Sequence, residues 1–304
     1  ILDLLPEKSL IAYLRDQNLQ TYLLNWGTPG DEDRDLGLKE YVNRYLHRAV
    51  EKTCRDAGSD QVLLLGHCLG GTLTTLYAAL NPKYVAGLAN ITAPINFHNS
   101  SLLSKWCQAQ SFDLNLLLEA QGNMPWAVLQ STFLSQRPTT NTSKWIQFSK
   151  KLDDPEFVDS FLALEVWSND NVSFAGKCYQ DIINLFYKNN SLVKNEFMFH
   201  GHKVTLKNIT VPVLNVSTSE DHIVPLDATQ VLTKLTSSKD TTDIVVSGGH
   251  VGGIVGKHAR KTLWPELALW LAKQQPSDLQ TLSYFAQPSS FDHKGQEPHP
   301  TLDQ

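Results

Sequence analysis

The stretch from 62 to 80 constrains this 304-residue chain more than any other. Val62-Leu63-Leu64-Leu65 is a short continuous apolar run, the kind required of a strand buried on both faces. It leads directly into Gly66-His67-Cys68-Leu69-Gly70-Gly71, and then into Thr72-Leu73-Thr74-Thr75-Leu76-Tyr77-Ala78-Ala79-Leu80, which has a helical pattern. A turn that takes a strand into a helix within so few residues holds its central residue in a strained conformation, so the positions two before and two after Cys68 must be small. The helix that follows aims its unpaired N-terminal amides at the Cys68 side chain, which favours a thiolate and any oxyanion formed beside it. Gly70 and Gly71 are expected to let this helix approach its neighbours closely. Cys54, Cys107 and Cys178 lack such a setting and are expected to be packing residues.

Around this turn, strand patterns alternate with helical ones, which points to parallel βαβ units. Strands are expected at 21–24, 62–65, 85–89, 211–216 and 244–246. An amphipathic helix is expected over 38–54, ending at Gly58, and another over 257–273. The stretch 97–205 differs: it carries Trp106, Trp126, Trp145 and Trp167 in helical patterns with no clear alternating strand, and is expected to be a helical insertion covering the sheet. Phe199-His200-Gly201-His202-Lys203 suggests a surface hairpin. The last stretch, 276–304, is rich in Pro and polar residues and is expected to be a loose tail. The expected division is a core of 1–96 and 206–275, with 97–205 as the insertion.

Strand, Gly-x-nucleophile-x-Gly and helix form the nucleophile elbow of the α/β-hydrolase fold, here with Cys in place of Ser. The expected fold is therefore α/β, a mostly parallel sheet with flanking helices and a helical cap insertion. This fold orders its catalytic partners as nucleophile, acid, histidine. The strand at 211–216 leads into Ser217-Thr218-Ser219-Glu220-Asp221-His222-Ile223-Val224-Pro225, which places Asp221 at a strand's C-terminal edge, where open α/β sheets build their sites. The strand at 244–246 leads into Ser247-Gly248-Gly249-His250-Val251-Gly252-Gly253, a glycine-flanked loop from which His250 can turn toward Cys68. Cys68, Asp221 and His250 are the expected catalytic residues, with the backbone N–H of Leu69 as an oxyanion donor. Glu220 is the competing acid. His67 is expected to line the site, His222 to pack locally, and His258, His293 and His299 to be solvent residues.

Together these residues resemble polyhydroxyalkanoate synthases. The resemblance is carried by the elbow, by Glu220-Asp221-His222-Ile223-Val224-Pro225 and by Gly248-Gly249-His250-Val251-Gly252-Gly253. It extends to Leu2-Asp3-Leu4 with Ser9-Leu10, Tyr22-Leu23-Leu24-Asn25-Trp26-Gly27, Tyr187-Lys188-Asn189-Asn190-Ser191-Leu192, Lys207-Asn208-Ile209-Thr210-Val211-Pro212-Val213-Leu214-Asn215, and Trp167 with Asp170. It spans about 1–275 and is most like the short, two-component (class III) type. It implies an acyltransferase that moves (R)-3-hydroxyacyl units, mainly 3-hydroxybutyryl, from coenzyme A onto a growing polyester held as a Cys68 thioester. His250 would take the thiol proton. Asp221 would orient His250 or help to deprotonate the 3-hydroxyl of the incoming unit. The resemblance also implies a second synthase subunit, a homodimer, a cytoplasmic location at the surface of polyester granules, and no cofactor, coenzyme A entering as part of the substrate. Asn25 departs from the family, which usually has Asp before Trp-Gly. The rival readings are a Cys-nucleophile hydrolase of thioesterase or dienelactone-hydrolase type, and an inactive granule-associated protein.

The remaining composition narrows the field. Hydrophobic residues make up 41% of the chain and charged residues 19%, so it can bury a core. The net charge of −5 argues against general nucleic-acid binding. Four cysteines do not make a disulfide framework. No apolar run reaches the roughly 18–20 residues of a membrane helix. Neither Cys-x-x-Cys, His-Glu-x-x-His nor a phosphate-binding Walker loop occurs, so neither a metal nor a nucleotide is expected. Asn-x-Ser/Thr triplets such as Asn90-Ile91-Thr92 are expected by chance. Residue 1 is Ile, inside the apolar run Ile1-Leu2-Asp3-Leu4-Leu5. This fold draws its second oxyanion amide from a loop after an earlier strand, so the chain is expected to lack its first strands and half of its oxyanion hole.

Overall fold

A computed structural model describes residues 1–110, 112–199 and 201–275. His200, His293 and His299, and the expected tail over 276–304, lie outside the described residues.

The centre is a parallel four-stranded sheet: β1 (Val62–His67), β2 (Val85–Ile91), β5 (Val213–Thr218) and β6 (Thr241–Val246), in the order β1-β2-β5-β6. The remaining strands, β3 (Met198–Phe199) and β4 (His202–Lys203), form a small antiparallel hairpin turned at Gly201, whose φ is +79°. Both faces of the main sheet are covered. On one face Leu88 and Val213 pack with Leu73, Leu76, Leu46 and Val50; on the other, Ala89, Ile91, Leu214 and Val216 pack with Leu10, Leu14, Trp264 and Leu267. Adjacent residues of β2 and β5 thus enter opposite clusters, which is why these strands read as unbroken apolar runs. Each buried Leu, Ile or Val among them stabilises the fold by about 1.5–3 kcal/mol. At the edge of the sheet, β6 alternates instead, with Val245 half exposed.

The helix facing Leu73 begins as a wide π turn over Glu40–Leu46 and continues as α-helix over His47–Ala57. Gly58 ends it in the left-handed region (φ +63°), and the Ser59 amide bonds back to the Cys54 carbonyl. Between β2 and β5 the described residues run through six α-helices, from Leu102–Gln108 to Gly176–Ile182, and then a π-helical turn over Ile183–Lys188. Asn190 closes the base of this excursion: its Oδ1 accepts from the Phe97 amide (3.0 Å) and its Nδ2 donates to Asn96 Oδ1 (2.8 Å).

Two sequence expectations are corrected. Residues 21–24 form no strand; Tyr22, Leu23, Leu24 and Trp26 lie exposed in irregular backbone. Propensity describes how a residue suits a sheet, but a strand exists only where a neighbour completes its ladder, and β1 pairs with β2 alone. The closing helix is also not continuous over 257–273. It divides into Lys257–Lys261 and Leu263–Lys273, because Pro265 has no amide to donate and its ring crowds the carbonyl four residues earlier.

Candidate active site

Cys68 sits between β1 and the helix Leu69–Leu80 with φ 52° and ψ −129°, a strained conformation for a residue with a side chain. The surroundings hold it there. The Cys68 amide donates to the Ile91 carbonyl (3.0 Å), and the Cys68 carbonyl accepts from the Gly71 amide (2.9 Å). A Cβ on Gly66 would collide with the Gly71 backbone, and one on Gly71 would collide with the Ala93 methyl. Gly70 faces open space, so the close approach expected of the Gly70-Gly71 pair belongs to Gly71 alone. A buried polar network fastens the helix from below: Asn90 Nδ2 donates to Thr75 Oγ1 (2.7 Å), which donates to the Gly71 carbonyl (2.7 Å). Leu69 opens the helix, so its amide has no acceptor within the helix.

Asp221 follows β5 and is buried. Its Oδ1 accepts from the amides of Ile223 (2.9 Å) and Val224 (2.8 Å); its Oδ2 accepts from Thr218 Oγ1 (3.2 Å) and His250 Nδ1 (2.7 Å). Burial alone pushes this carboxyl up, but the bonds from His250 and the two amides outweigh it and hold the group below its ordinary value. His250 follows β6 and is also buried. Burial lowers its proton affinity, yet the nearby Cys68 sulfur and the hydrogen-bonded Asp221 carboxylate raise it to about 10. With Nδ1 on Asp221, the nitrogen facing Cys68 is Nε2. The structure therefore brings the three residues expected from sequence together, with His250 bonded to Asp221 and close to Cys68. Such an arrangement can withdraw a thiol proton and stabilise the imidazolium that results.

The competing residues stand elsewhere. Glu220 is exposed, with its amide on the Gly248 carbonyl, and its side chain does not join the group. His222 is partly buried; burial first, and then Arg137, hold its proton affinity down. No strand precedes Val62 among the described residues, and no second oxyanion amide is assigned. Among the same residues no group of three or more His, Cys, Asp or Glu is placed to hold a metal.

Sequence reasoning missed how Asp221 is held. Thr218 and the amides of residues 223 and 224 supply three of the four donors to Asp221; the only trace of this in the sequence is the Asp-x-x-x-Pro turn ending at Pro225. Thr92, at the end of β2, is fully buried in the left-handed region (φ 45°) with an unpartnered hydroxyl. His67 touches the His250 ring, with centroids 5.2 Å apart.

Comparison with known proteins identifies the fold and the family. Residues 3–257 match the alpha/beta hydrolase fold family. A monoacylglycerol lipase of Paleococcus ferrophilus superposes with a TM-score of 0.57 at 16% identity, 88% of each chain being covered. A thermophilic esterase from Thermogutta terrifontis gives 0.52 at 12% identity, over 88% of this chain and 86% of that one. At such identities these likenesses show the fold alone. The poly(3-hydroxyalkanoate) polymerase subunit PhaC of Allochromatium vinosum is 38% identical over 271 residues, covering 88% of this chain and 76% of that one. The subunit of the same name from Thiocystis violacea is 34% identical over the same shares. That of Haloferax mediterranei is 32% identical over 90% of this chain and 56% of its own length. On its fold and on these relatives together, the chain belongs to the poly(3-hydroxyalkanoate) polymerase PhaC family of alpha/beta hydrolase fold proteins.

Proposed function

We propose that this chain is the catalytic polypeptide of a polyhydroxyalkanoate synthase, an acyltransferase that joins (R)-3-hydroxyacyl units, mainly 3-hydroxybutyryl, and releases coenzyme A. One observation carries the reading: a member of the PhaC family has cysteine at its elbow, with a buried His250–Asp221 pair against it.

The chemistry follows from the contacts. His250 Nε2 takes the Cys68 proton as Sγ attacks the thioester carbonyl of the acyl-CoA, and the Leu69 amide faces the oxyanion of the tetrahedral intermediate. The carbon–sulfur bond to coenzyme A breaks, and its thiolate leaves with the proton from His250. The acyl group now rests on Cys68 as a thioester, still activated towards an alcohol. The 3-hydroxyl of another acyl-CoA attacks it, His250 taking that proton in turn. An ester forms and Cys68 leaves as thiolate, which the same proton restores to thiol. The lengthened acyl-CoA then reloads Cys68 by the first step. Four donors occupy the two oxygens of Asp221, which leaves it little capacity to accept from an alcohol. That favours orientation of His250 over direct deprotonation of the 3-hydroxyl.

The relatives' names describe a subunit, which supports a second synthase polypeptide as partner. Homodimerisation and a place at the polyester surface in the cytoplasm belong to the same proposal. No helix among the described residues is long and apolar enough to cross a membrane. The test is incubation with (R)-3-hydroxybutyryl-CoA, with and without a partner subunit, following coenzyme A release and turbidity. Polymer formation is expected, and Cys68→Ala should abolish it. Polymer made by Cys68→Ala would overturn the mechanism; free 3-hydroxybutyrate in place of polymer would favour a hydrolase.

A further inference from the structure

His67 is the last residue of β1, and His250 follows β6, at the opposite edge of the sheet. Three strand spacings separate them, roughly 14 Å, so the loop 247–251 must reach back across β5 and β2 to bring its imidazole to Cys68. On the β5 side it is tied by the Glu220 amide on the Gly248 carbonyl (2.9 Å) and by Asp221 on His250 Nδ1. On the β1 side it meets His67. The two rings lie with centroids 5.2 Å apart and planes at 39°. The His67 ring also lies beside the main-chain carbonyl of His250, while His67 Nε2 is sealed from solvent without a partner. That leaves Nδ1 as the ring nitrogen that can donate to this carbonyl, with Nε2 carrying a bare lone pair. Leaving a buried acceptor unpaired is unfavourable, a cost an apolar residue at this elbow position would not incur.

We propose that His67 is a positioning residue: its ring packs on the His250 imidazole while its Nδ1–H holds the His250 carbonyl, fixing that imidazole between Asp221 and Cys68. The groups facing His67 are His250 and Asp221; those facing His250 are Cys68, Asp221, His67 and His222. Burial, with the proximity of His250, holds His67 down to about 3, so it stays neutral and keeps one tautomer. A neutral neighbour neither repels the imidazolium formed during the reaction nor competes for Asp221.

This inference rests on the reading of Cys68 as nucleophile and His250 as its base. The test is the pH profile of Cys68 alkylation by iodoacetamide, followed by peptide mass spectrometry on the intact chain, with a thermal melt of each variant. His67→Phe keeps a ring but removes the donor. His67→Asn places an amide nitrogen where Nδ1 stood. The expected result is alkylation about tenfold slower at neutral pH in His67→Phe, with the profile displaced towards alkali by about one pH unit. Rates in His67→Asn should stay within about threefold of the parent, corresponding to a profile displaced by no more than about half a pH unit. A folded His67→Phe with the parent's profile would overturn the proposal, as would equal slowing in both variants. If neither variant folds, the contact is structural and the positioning role falls. A parent protein whose Cys68 alkylation ignores His250→Gln would sink the reading of the site itself, and this inference with it.

Discussion

The His250–Asp221 pair couples proton binding to folding. His250 holds its proton more tightly in the folded protein than the ordinary imidazole value of 6.5, so its contribution to stability is complete below that pH. The contribution is lost as the pH rises through about 10. Asp221 acts in the opposite direction: held below its ordinary 3.8, it stabilises above that value and ceases to do so as the pH falls through its folded value. Melting temperature should therefore fall between pH 6.5 and about 10 more steeply in this protein than in His250→Gln, as differential scanning calorimetry can measure. Equal slopes would mean that the pair does not carry the linkage. At this scale the sequence was most legible where chemistry is local: Cys68, Asp221 and His250 each follow a strand that a pattern search can find. His67 was legible only as an elbow residue, because its contact is with a loop 183 positions away in the chain, and nothing in Gly66-His67-Cys68 announces that.

At the scale of elements, the elbow rests on two glycines with different duties from those the motif suggests. A methyl at position 71 meets the Ala93 methyl and the Gly66 carbonyl; at position 70 it meets nothing within contact distance. Gly71→Ala should cost about 1–3 kcal/mol or more in chemical denaturation. Gly70→Ala should be neutral, or stabilising by up to about 1 kcal/mol through helix propensity. A reversal of that order would refute the packing argument. The spacing Gly-x-Cys-x-Gly identifies the turn, but which glycine is crowded depends on where β2 and residue 93 lie, and that is a property of the fold. The same limit explains residues 21–24, whose β-rich composition cannot supply a pairing partner. Pro265 is the contrary case: the break it forces in the closing helix stood in the sequence, and helical periodicity on either side obscured it.

For the whole molecule, the two ends of the 97–205 excursion meet where Asn190 bridges Asn96 and Phe97, and its first residues are tied to the core where Asp227 accepts from Ser100. Asn190 has a φ of 51°, so Asn190→Gly keeps the backbone accessible and removes only the bonds. Hydrogen exchange in the helices between 102 and 182 should accelerate in that variant while exchange in β2 and β5 stays unchanged. Uniform acceleration throughout would show that the clasp stabilises the molecule as a whole.

The four free cysteines can also serve as depth gauges. Cys68 is partly open, Cys54 and Cys178 belong to the large cluster under the sheet, and Cys107 belongs to a small cluster of its own beneath the inserted helices. A thiol reagent that scores labels per molecule would read one label in the native state. As denaturant rises, Cys107 should be next, because its cluster holds few partners, with Cys54 and Cys178 following together at the main transition. The residue types that made this chain look poor in disulfides would then chart, thiol by thiol, the order in which its parts let go.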